Sequence, residues 1–423
     1  DMDGIGETIH TTLKGPPDLL HLEPGQVPTR DDFLTQQISF HLDPRNEVVL
    51  VDGGDPTVLL QEGEWSDWVG VTYDALPWGL MSFDGTVRFY LKEARPSFKL
   101  YASPVNISPA NPAQAITTPD DFIKELHDTI GLFYTQGMPE ETNALKDELF
   151  DDDDYEKQVK LVQEDAKELL DLALSRFESG DMTFFYVSDI DLQCHMLWRH
   201  GDPKYPGAEP HPAKDEAAAV DHADDIEGYY EHVDVMLGWV RERLPQDTVL
   251  IIMSDHGFAP FTRKLHLNAW LRDHGYLVLS NGKRTGHIFN EGDIDWSRTT
   301  AYGVGFNAIY LNLVGREAQG IVTPEVAEDV MRRLTAELTA LRDPKTGAQV
   351  VLRVDRAKDV YGGERVAESP DMVVGYNEHY GCSDESTLGE VVEPIIVDNL
   401  SRWSGNHLMA PEVVPGVLLV NRQ

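Results

Sequence analysis

The sequence predicts an α/β protein in which helices flank a largely parallel sheet, preceded by a smaller β-rich region. Up to about Ser103, apolar and polar residues alternate as they do in half-buried strands. From about Asp120 onward, helical periodicity and short apolar runs follow one another along the chain. With 41% hydrophobic and 9% aromatic residues, the 423-residue chain can bury a large core, which excludes a disordered protein.

Strand and turn signals define the N-terminal region. Alternation predicts strands around residues 38–42 and 87–91, and the apolar runs 48–51 and 58–60 flank a turn-rich Asp-Gly-Gly-Asp-Pro sequence. The dipeptide Asp84-Gly85 predicts another hairpin turn, just before the strand at 87–91. Proline and asparagine then cluster up to Pro119. We therefore expect a β-rich cap or insertion over residues 1–119 and an α/β core over residues 120–423.

The predicted core alternates helices with strands. Its acidic run at 151–154 fits the N-terminus of a helix, where the helix dipole favours negative charge. Two apolar runs, 183–188 and 248–253, have the length of buried strands. The predicted helices cover 120–132, 152–177, 226–244 and 324–341, and the predicted strands cover 183–188, 248–253, 308–313 and 372–375.

The charge balance limits the kinds of molecule that the chain can bind. There are 35 basic and 73 acidic side chains, so the net charge is 35 − 73 = −38. Such a chain repels nucleic-acid polymers, and an anionic substrate would need a local positive charge such as a bound metal. No apolar run reaches the roughly 18 residues of a membrane-spanning helix, so we expect no membrane segment. Cys194 and Cys382 are too few for a disulfide framework or a cysteine-based zinc finger.

Three motifs carry residues that bind metals. Asp191 and His195 follow the strand at 183–188 and stand one helical turn apart. Asp255 and His256 follow the strand at 248–253 and precede a glycine, and His407 lies in a late Ser-Gly-Asn-His sequence. Each motif alone also fits a helix cap or a surface histidine.

Together the motifs indicate a metal centre. Asp191, His195 and His407 form a three-ligand set with an open position, as in catalytic zinc sites, while Asp255 and His256 supply half of a second site. Two metals about 4 Å apart can hold a phosphoryl group between them.

The ordered motifs Asp-x-x-x-His, Ser-Asp-His-Gly and Gly-x-His resemble the metal signature of the alkaline phosphatase superfamily, in its type I phosphodiesterase/nucleotide pyrophosphatase branch. Segments 62–68, 131–139, 295–297 and 310–317 are also similar to segments of that family. The resemblance implies an alkaline-phosphatase-like core with one metal on Asp191, His195 and His407 and the other on Asp255 and His256. It further implies two divalent ions, zinc or alternatively manganese, and a phosphorylated Thr or Ser intermediate.

The chain departs from the family pattern at its beginning. In the family, an Asp of the second site and the nucleophilic Thr or Ser precede everything recognised here, and Asp3 and the Thr11-Thr12 pair are poor matches to them. We therefore expect the chain to begin inside the β-rich insertion, to contain a partial core and to leave the nucleophile outside it. The catalytic residue is consequently not assigned.

The resulting functional hypothesis is a metal-dependent phosphoric-ester hydrolase acting on a small phosphate ester. Arg263 is the candidate substrate-binding residue, although with Lys264 it also fits a solvated basic pair. A sulfatase of the same fold and a non-catalytic metal-binding fragment are the alternatives. We also expect possible homo-oligomers, and two unpaired cysteines favour the cytoplasm while leaving export open.

Overall fold

The computed structural model describes residues 6–23, 25–76, 79–202 and 209–422. The chain divides between residues 189 and 190 into two compact units. The domain boundary predicted at 119/120 stays a prediction, and Asp3 lies outside the described residues.

The first unit is rich in antiparallel sheet. Strands β1–β4 form one sheet in chain order, β10-β7-β6 form a second and β5-β8-β9 a third. The strand predicted around 38–42 and the hairpin of runs 48–51 and 58–60 are thereby confirmed. The strands are β1 (Thr8–Pro17), β2 (Phe33–Asp43), β3 (Val48–Asp52), β4 (Val58–Gln61), β5 (Glu64–Trp65), β6 (Val69–Leu76), β7 (Met81–Val87), β8 (Phe89–Glu93), β9 (Lys99–Ala102) and β10 (Asn106–Ile107).

The hairpin turn predicted at Asp84-Gly85 is wrong. Both residues lie inside β7, where Asp84 is opposite Thr72 and Gly85 is opposite Val71. A Cβ atom at position 85 would come within 2.4 Å of Val105 Cγ1. Glycine is therefore required here because the residue that precedes the neighbouring strand β10 packs closely against β7, and not because the chain turns.

Three helices complete the described part of the first unit: α1 (Phe122–Ile130), α2 (Thr142–Lys146) and α3 (Asp152–Ser175). Asp151 caps α3, since its side chain accepts a hydrogen bond from the Asp154 amide and the Asp154 side chain accepts one from the Asp151 amide. Asp154 is also buried and paired with Lys92 of β8. The acidic run is thus a helix start, as predicted, that also attaches the helix to the sheet.

The run 183–188 is not a strand, contrary to the prediction. All six residues are described, and none lies in a strand; Phe184 is 75% exposed. The run 248–253 forms a strand only over its last three residues, and these are largely exposed. Apolar composition favours burial in a strand, but a strand also requires a hydrogen-bonded neighbour, which composition does not supply.

The second unit mixes helices with short strands. The helix predicted at 226–244, the helix at 324–341 and the strands at 308–313 and 372–375 are confirmed within a few residues. The elements are α4 (Asp189–Leu197), α5 (Ala219–His222), α6 (Asp225–Arg243), β11 (Ile251–Met253), β12 (Ala259–Leu265), α7 (Leu267–Asp273), β13 (Gly286–His287), β14 (Ala301–Gly303), β15 (Ala308–Leu311), α8 (Pro324–Thr339), β16 (Val351–Arg356), α9 (Ala357–Val360), β17 (Met372–Tyr376), β18 (His379–Cys382), α10 (Asp384–Leu388), β19 (Glu390–Val391), β20 (Ile396–Asp398), β21 (Gly405–Asn406) and β22 (Leu418–Val420).

The predicted largely parallel sheet is not seen among the described strands. Strands β14-β15-β17-β16 form an antiparallel sheet, and β12 pairs in parallel with β18 but antiparallel with β20 and β21. Parallel neighbours need a long crossover, whereas β14 and β15 are joined by a loop of four residues. The architecture is therefore mixed α/β with several small sheets.

Each unit has its own core. In the second unit, α7, α8 and the sheet around β15 and β17 enclose a large apolar cluster that includes Trp270, Leu334 and Tyr376. Strand β12 contributes Ala259, Phe261 and Leu265 to the same cluster, so the end of β12 that follows Asp255 and His256 packs against the core. None of the described helices has both the length and the apolar composition needed to cross a membrane.

Candidate functional site

Three separate segments of the second unit meet at one site. Helix α4 carries Asp191 and His195 on one face, the loop after β11 carries His256, and β21 leads directly into His407. The structure thus brings together the residues that the three sequence motifs supplied.

The shared neighbour of the histidines is the Asp191 carboxylate. Its Oδ2 lies 3.7 Å from His195 Nε2, and its Oδ1 lies 3.7 Å from His407 Nε2 and 3.9 Å from His256 Nε2. One ligand atom each of Asp191, His195 and His407 falls within 4.8 Å of the others. These three side chains are close enough to share one metal ion.

The imidazole of His195 has a fixed tautomer. Its Nδ1 lies 2.8 Å from the carbonyl oxygen of Gly405, which can only accept, so Nδ1 carries the hydrogen and Nε2 has a free lone pair. Burial lowers the pKa of His195 to about 3, which keeps the ring neutral at pH 7. A neutral imidazole with an exposed lone pair is the form that binds a metal.

His407 and His256 lie face to face. Their ring centroids are 3.6 Å apart with an 11° angle between the planes. Burial, and then the proximity of His256, lowers the pKa of His407 to about 4. The Asn406 side chain accepts hydrogen bonds from the amides of His407 and Leu408 and so fixes the loop that carries this histidine.

Asp255 stands at the edge of the site. Its side chain is 84% exposed, and its Oδ1 lies 3.5 Å from His256 Nε2. Burial, and to a lesser degree the charge of Asp255, raises the pKa of Asp191. Asp255 and His256 therefore adjoin the first ligand group, and their predicted role in a second metal site stays a prediction.

The loop that carries His256 is held by the segment near the C-terminal strand. The Ser254 amide donates to the Val417 carbonyl at 2.9 Å, and the Gly257 amide donates to the Val414 carbonyl at 2.9 Å. A Cβ atom at Gly257 would approach the Pro415 carbonyl oxygen to 2.7 Å. Glycine after the Asp-His pair thus allows two backbone segments to pack closely.

Arg263, the predicted substrate-binding residue, is buried in an ion-pair network. Its guanidinium donates to both carboxylate oxygens of Asp343, at 2.7 and 3.0 Å, and to Asp398 at 2.5 Å. Lys345 also pairs with Asp398, at 2.8 Å. These contacts give Arg263 a structural role, and its contact with a substrate stays a prediction.

Sequence reasoning missed the groups that surround the ligands. Trp403 stacks on the His195 ring with centroids 3.7 Å apart. Phe258 contacts the rings of His195, His256 and His407 at centroid distances of 4.8, 5.7 and 5.2 Å. Both aromatic residues lie within four positions of a predicted ligand in the sequence, and this proximity is the only sequence feature that points to their place beside the ligands.

Residues 78–391 match the family described as type I phosphodiesterase / nucleotide pyrophosphatase. The chain belongs to this family. The match covers well over half of the 423 residues and includes every predicted ligand except His407. No curated protein and no solved structure matches the chain.

Membership in a metal-dependent hydrolase family agrees with the donor set found here. The set consists of one carboxylate and neutral imidazoles, the nitrogen and oxygen donors that zinc and similar divalent ions accept in proteins. Asp191, His195 and His407 would hold such an ion. The donors alone do not select zinc over manganese.

Proposed function

We propose that this chain acts as a metal-dependent hydrolase that cleaves phosphoric esters, most specifically phosphodiesters or nucleotide pyrophosphates. The proposal rests on one observation. Asp191 and His195 of α4 lie close to His407, which comes from a distant segment of the chain. The family assignment supports the same reaction class. Its substrate would be a small phosphate ester.

The proposal includes a second divalent ion, with Asp255 and His256 among its ligands. It is supported by the position of His256, whose Nε2 lies 3.5 Å from the carboxylate of Asp255 and 3.9 Å from that of Asp191. Two carboxylates this close favour a cation near this nitrogen. The nucleophile of this proposal remains a Thr or Ser that we predict from family resemblance alone.

Electrostatics explains why the reaction would depend on metal. The chain has a net charge of −38, so its overall field opposes an anionic substrate. Bound divalent ions would neutralise charge on the phosphoryl oxygens and favour attack at phosphorus. The chain's own residues hold the site: Asp191 supplies the negative charge, and His195 and His407 stay neutral through burial.

Zinc binding and ester hydrolysis by matched variants test the proposal. The chain, stripped with a chelator and titrated with zinc, is expected to bind it, whereas His407→Ala and Asp191→Asn should each lose the site. His232→Ala, an exposed histidine on α6, is the matched control and should bind zinc as the wild type does. Unchanged zinc binding by His407→Ala would refute the assignment.

Hydrolysis is compared on an aryl phosphate diester and an aryl sulfate, using the longest natural form of the protein. Faster turnover of the diester supports the proposal. Faster turnover of the sulfate would instead indicate that the protein is a sulfatase. Zinc binding without turnover of either ester would indicate a non-catalytic metal-binding protein. Homo-oligomer formation and cellular location stay predictions.

A further inference from the structure

We propose that Trp403 is a positioning residue that holds the His195 imidazole in the orientation required for metal binding. The inference rests on the proposed function, because it assumes that His195 is a metal ligand. It concerns a residue that would act through His195.

The indole of Trp403 covers one face of the His195 ring. The ring centroids are 3.7 Å apart, and the planes differ by 25°, which is a stacked arrangement. His195 is almost completely buried, and its ring also contacts Phe258 in a T-shaped arrangement with centroids 4.8 Å apart. The imidazole is therefore enclosed by aromatic groups on more than one side.

Stacking supplies a constraint that hydrogen bonding does not. The bond from His195 Nδ1 to the Gly405 carbonyl fixes one atom of the ring. The torsion between Cβ and the ring has broad energy wells in histidine, and a hydrogen bond tolerates a range of angles, so this bond alone still allows the ring plane to tilt. Contact with Trp403 fixes that plane, and the two contacts together direct Nε2 toward Asp191, 3.7 Å away.

Trp403 itself has a rigid support. Its carbonyl oxygen accepts a hydrogen bond from Asn399 Nδ2 at 2.8 Å, and the same nitrogen donates to the Phe261 carbonyl at 2.7 Å. The Trp403 amide donates to Ser401 Oγ at 3.2 Å. Because Phe261 lies on β12 in the core of the second unit, these bonds tie the Trp403 backbone to that core, and the Trp403 side chain packs against the same apolar cluster.

The next residue attaches this segment to the ligand helix. The Ser404 amide donates to the His195 carbonyl at 2.6 Å, and Ser404 Oγ accepts from the Arg199 amide at 3.0 Å. These bonds hold the backbone that follows His195 at the end of α4. Ser404 thus fixes the helix, Gly405 fixes the Nδ1 edge of the ring, and Trp403 fixes its plane.

The experiment measures zinc affinity by competition with a chelator in the full chain. Trp403→Leu and Trp403→Met remove the ring and should weaken zinc binding about tenfold, the effect expected for loss of a group that orients a metal ligand. Trp403→Phe keeps an aromatic face and should restore most of the affinity. That rescue separates positioning from general packing.

Trp296→Leu is the matched control. Trp296 is also half-buried against the core of the second unit, but it stacks edge to face on Tyr302, which is not a predicted ligand. This variant should lower the melting temperature about as much as Trp403→Leu while retaining wild-type zinc affinity.

The outcomes distinguish the two proposals. A wild-type chain that binds no zinc overturns both the metal-centre assignment and this inference. If the wild type binds zinc and Trp403→Leu binds it with the same affinity, only the inference is overturned. The inference is also overturned if Trp296→Leu loses as much zinc affinity as Trp403→Leu. If neither ringless variant folds, Trp403 is required for the fold and not for positioning His195, which also overturns the inference.

Discussion

The imidazole rings of His256 and His407 stack with their centroids 3.6 Å apart, although the two residues come from different loops. The proximity of His256 is, after burial, the second cause of the lowered pKa of His407, whose neutral ring is the form that ligates metals. The contact also places a nitrogen of each ring within 4 Å of the same oxygen of Asp191. The stack thus joins the candidate first and second sites.

Replacing His256 with phenylalanine separates stacking from ligation. His256→Phe keeps an aromatic face against His407 but removes the nitrogen that faces Asp255 and Asp191. Under the proposed two-metal arrangement, this variant should retain the zinc held by Asp191, His195 and His407 and lose the second ion. Zinc content per chain is the measurement. A wild type with the same zinc content as the variant would contradict a second site at His256.

Adding one methyl group at Gly405 should disturb both stability and metal binding. A Cβ there would come within 2.2 Å of the Cys194 carbonyl oxygen, so the backbone must move. We expect Gly405→Ala to lower the free energy of unfolding by about 1–3 kcal/mol. Zinc affinity should fall too, because the Gly405 carbonyl that orients His195 moves with the backbone. Urea unfolding and zinc titration measure the two effects.

Gly362→Ala provides the matched control for that change. A Cβ at Gly362 would meet no atom within 4 Å, and its backbone is not left-handed. Its free energy of unfolding should stay within about 0.5 kcal/mol of the wild type. Equal effects of the two alanines would contradict the close packing at Gly405.

Removing the Arg263 guanidinium should destabilise the second unit. Asp343 is fully buried, and burial alone would raise its pKa, but the hydrogen bonds and charge of Arg263, together with hydrogen bonds from the Lys345 amide and the Tyr380 hydroxyl, lower the pKa of this carboxyl. Arg263→Met would leave a buried charge without its partner, so we expect a loss of about 3–5 kcal/mol in the free energy of unfolding.

The control is Arg298→Met, which removes an exposed arginine 3.9 Å from Asp295. This change should lower the free energy of unfolding by less than about 1 kcal/mol, as for other surface ion pairs. The comparison also tests the predicted substrate role of Arg263. A folded Arg263→Met variant of wild-type stability, with an increased KM for the ester, would favour substrate binding over the structural role.

A buried carboxyl in the first unit should make stability depend on pH. Burial raises the pKa of Glu141 to about 7, although a hydrogen bond from the Tyr101 hydroxyl at 2.6 Å partly opposes the shift. Since the unfolded value is near 4.5, the protonated carboxyl favours the fold below pH 4.5, and this contribution is lost as the pH rises to about 7. Glu141→Gln removes that dependence.

We therefore expect Glu141→Gln to gain stability relative to the wild type between pH 4.5 and 8, by on the order of 3 kcal/mol. Urea unfolding at several pH values measures the gain. Burial also raises the pKa of Asp165, to about 6, so the variant should keep part of the slope. Glu242→Gln, an exposed change on α6, should follow the wild-type curve at every pH, and a constant difference between Glu141→Gln and wild type would contradict the raised pKa.

Local patterns predicted local structure well. The helix at 324–341 and the strand around 38–42 follow from apolar periodicity, because each element buries the face that its own residues mark. The helix at 226–244 is also found, although it buries only Ile226 and Val240. Asp84-Gly85 shows the limit of such rules. The same dipeptide serves a turn or a tightly packed strand, and Val105, a residue distant in sequence, decides between them.

By itself, the sequence determined the residue types of the candidate metal centre and their order along the chain, since donor chemistry belongs to the side chains. It also determined the acidic character that makes a local positive charge necessary. Only the tertiary structure decided that Asp191, His195, His256 and His407 meet, that Arg263 is paired internally and that run 183–188 stays out of a sheet. Those outcomes depend on contacts between segments far apart in the chain, and periodicity carries information only about near neighbours.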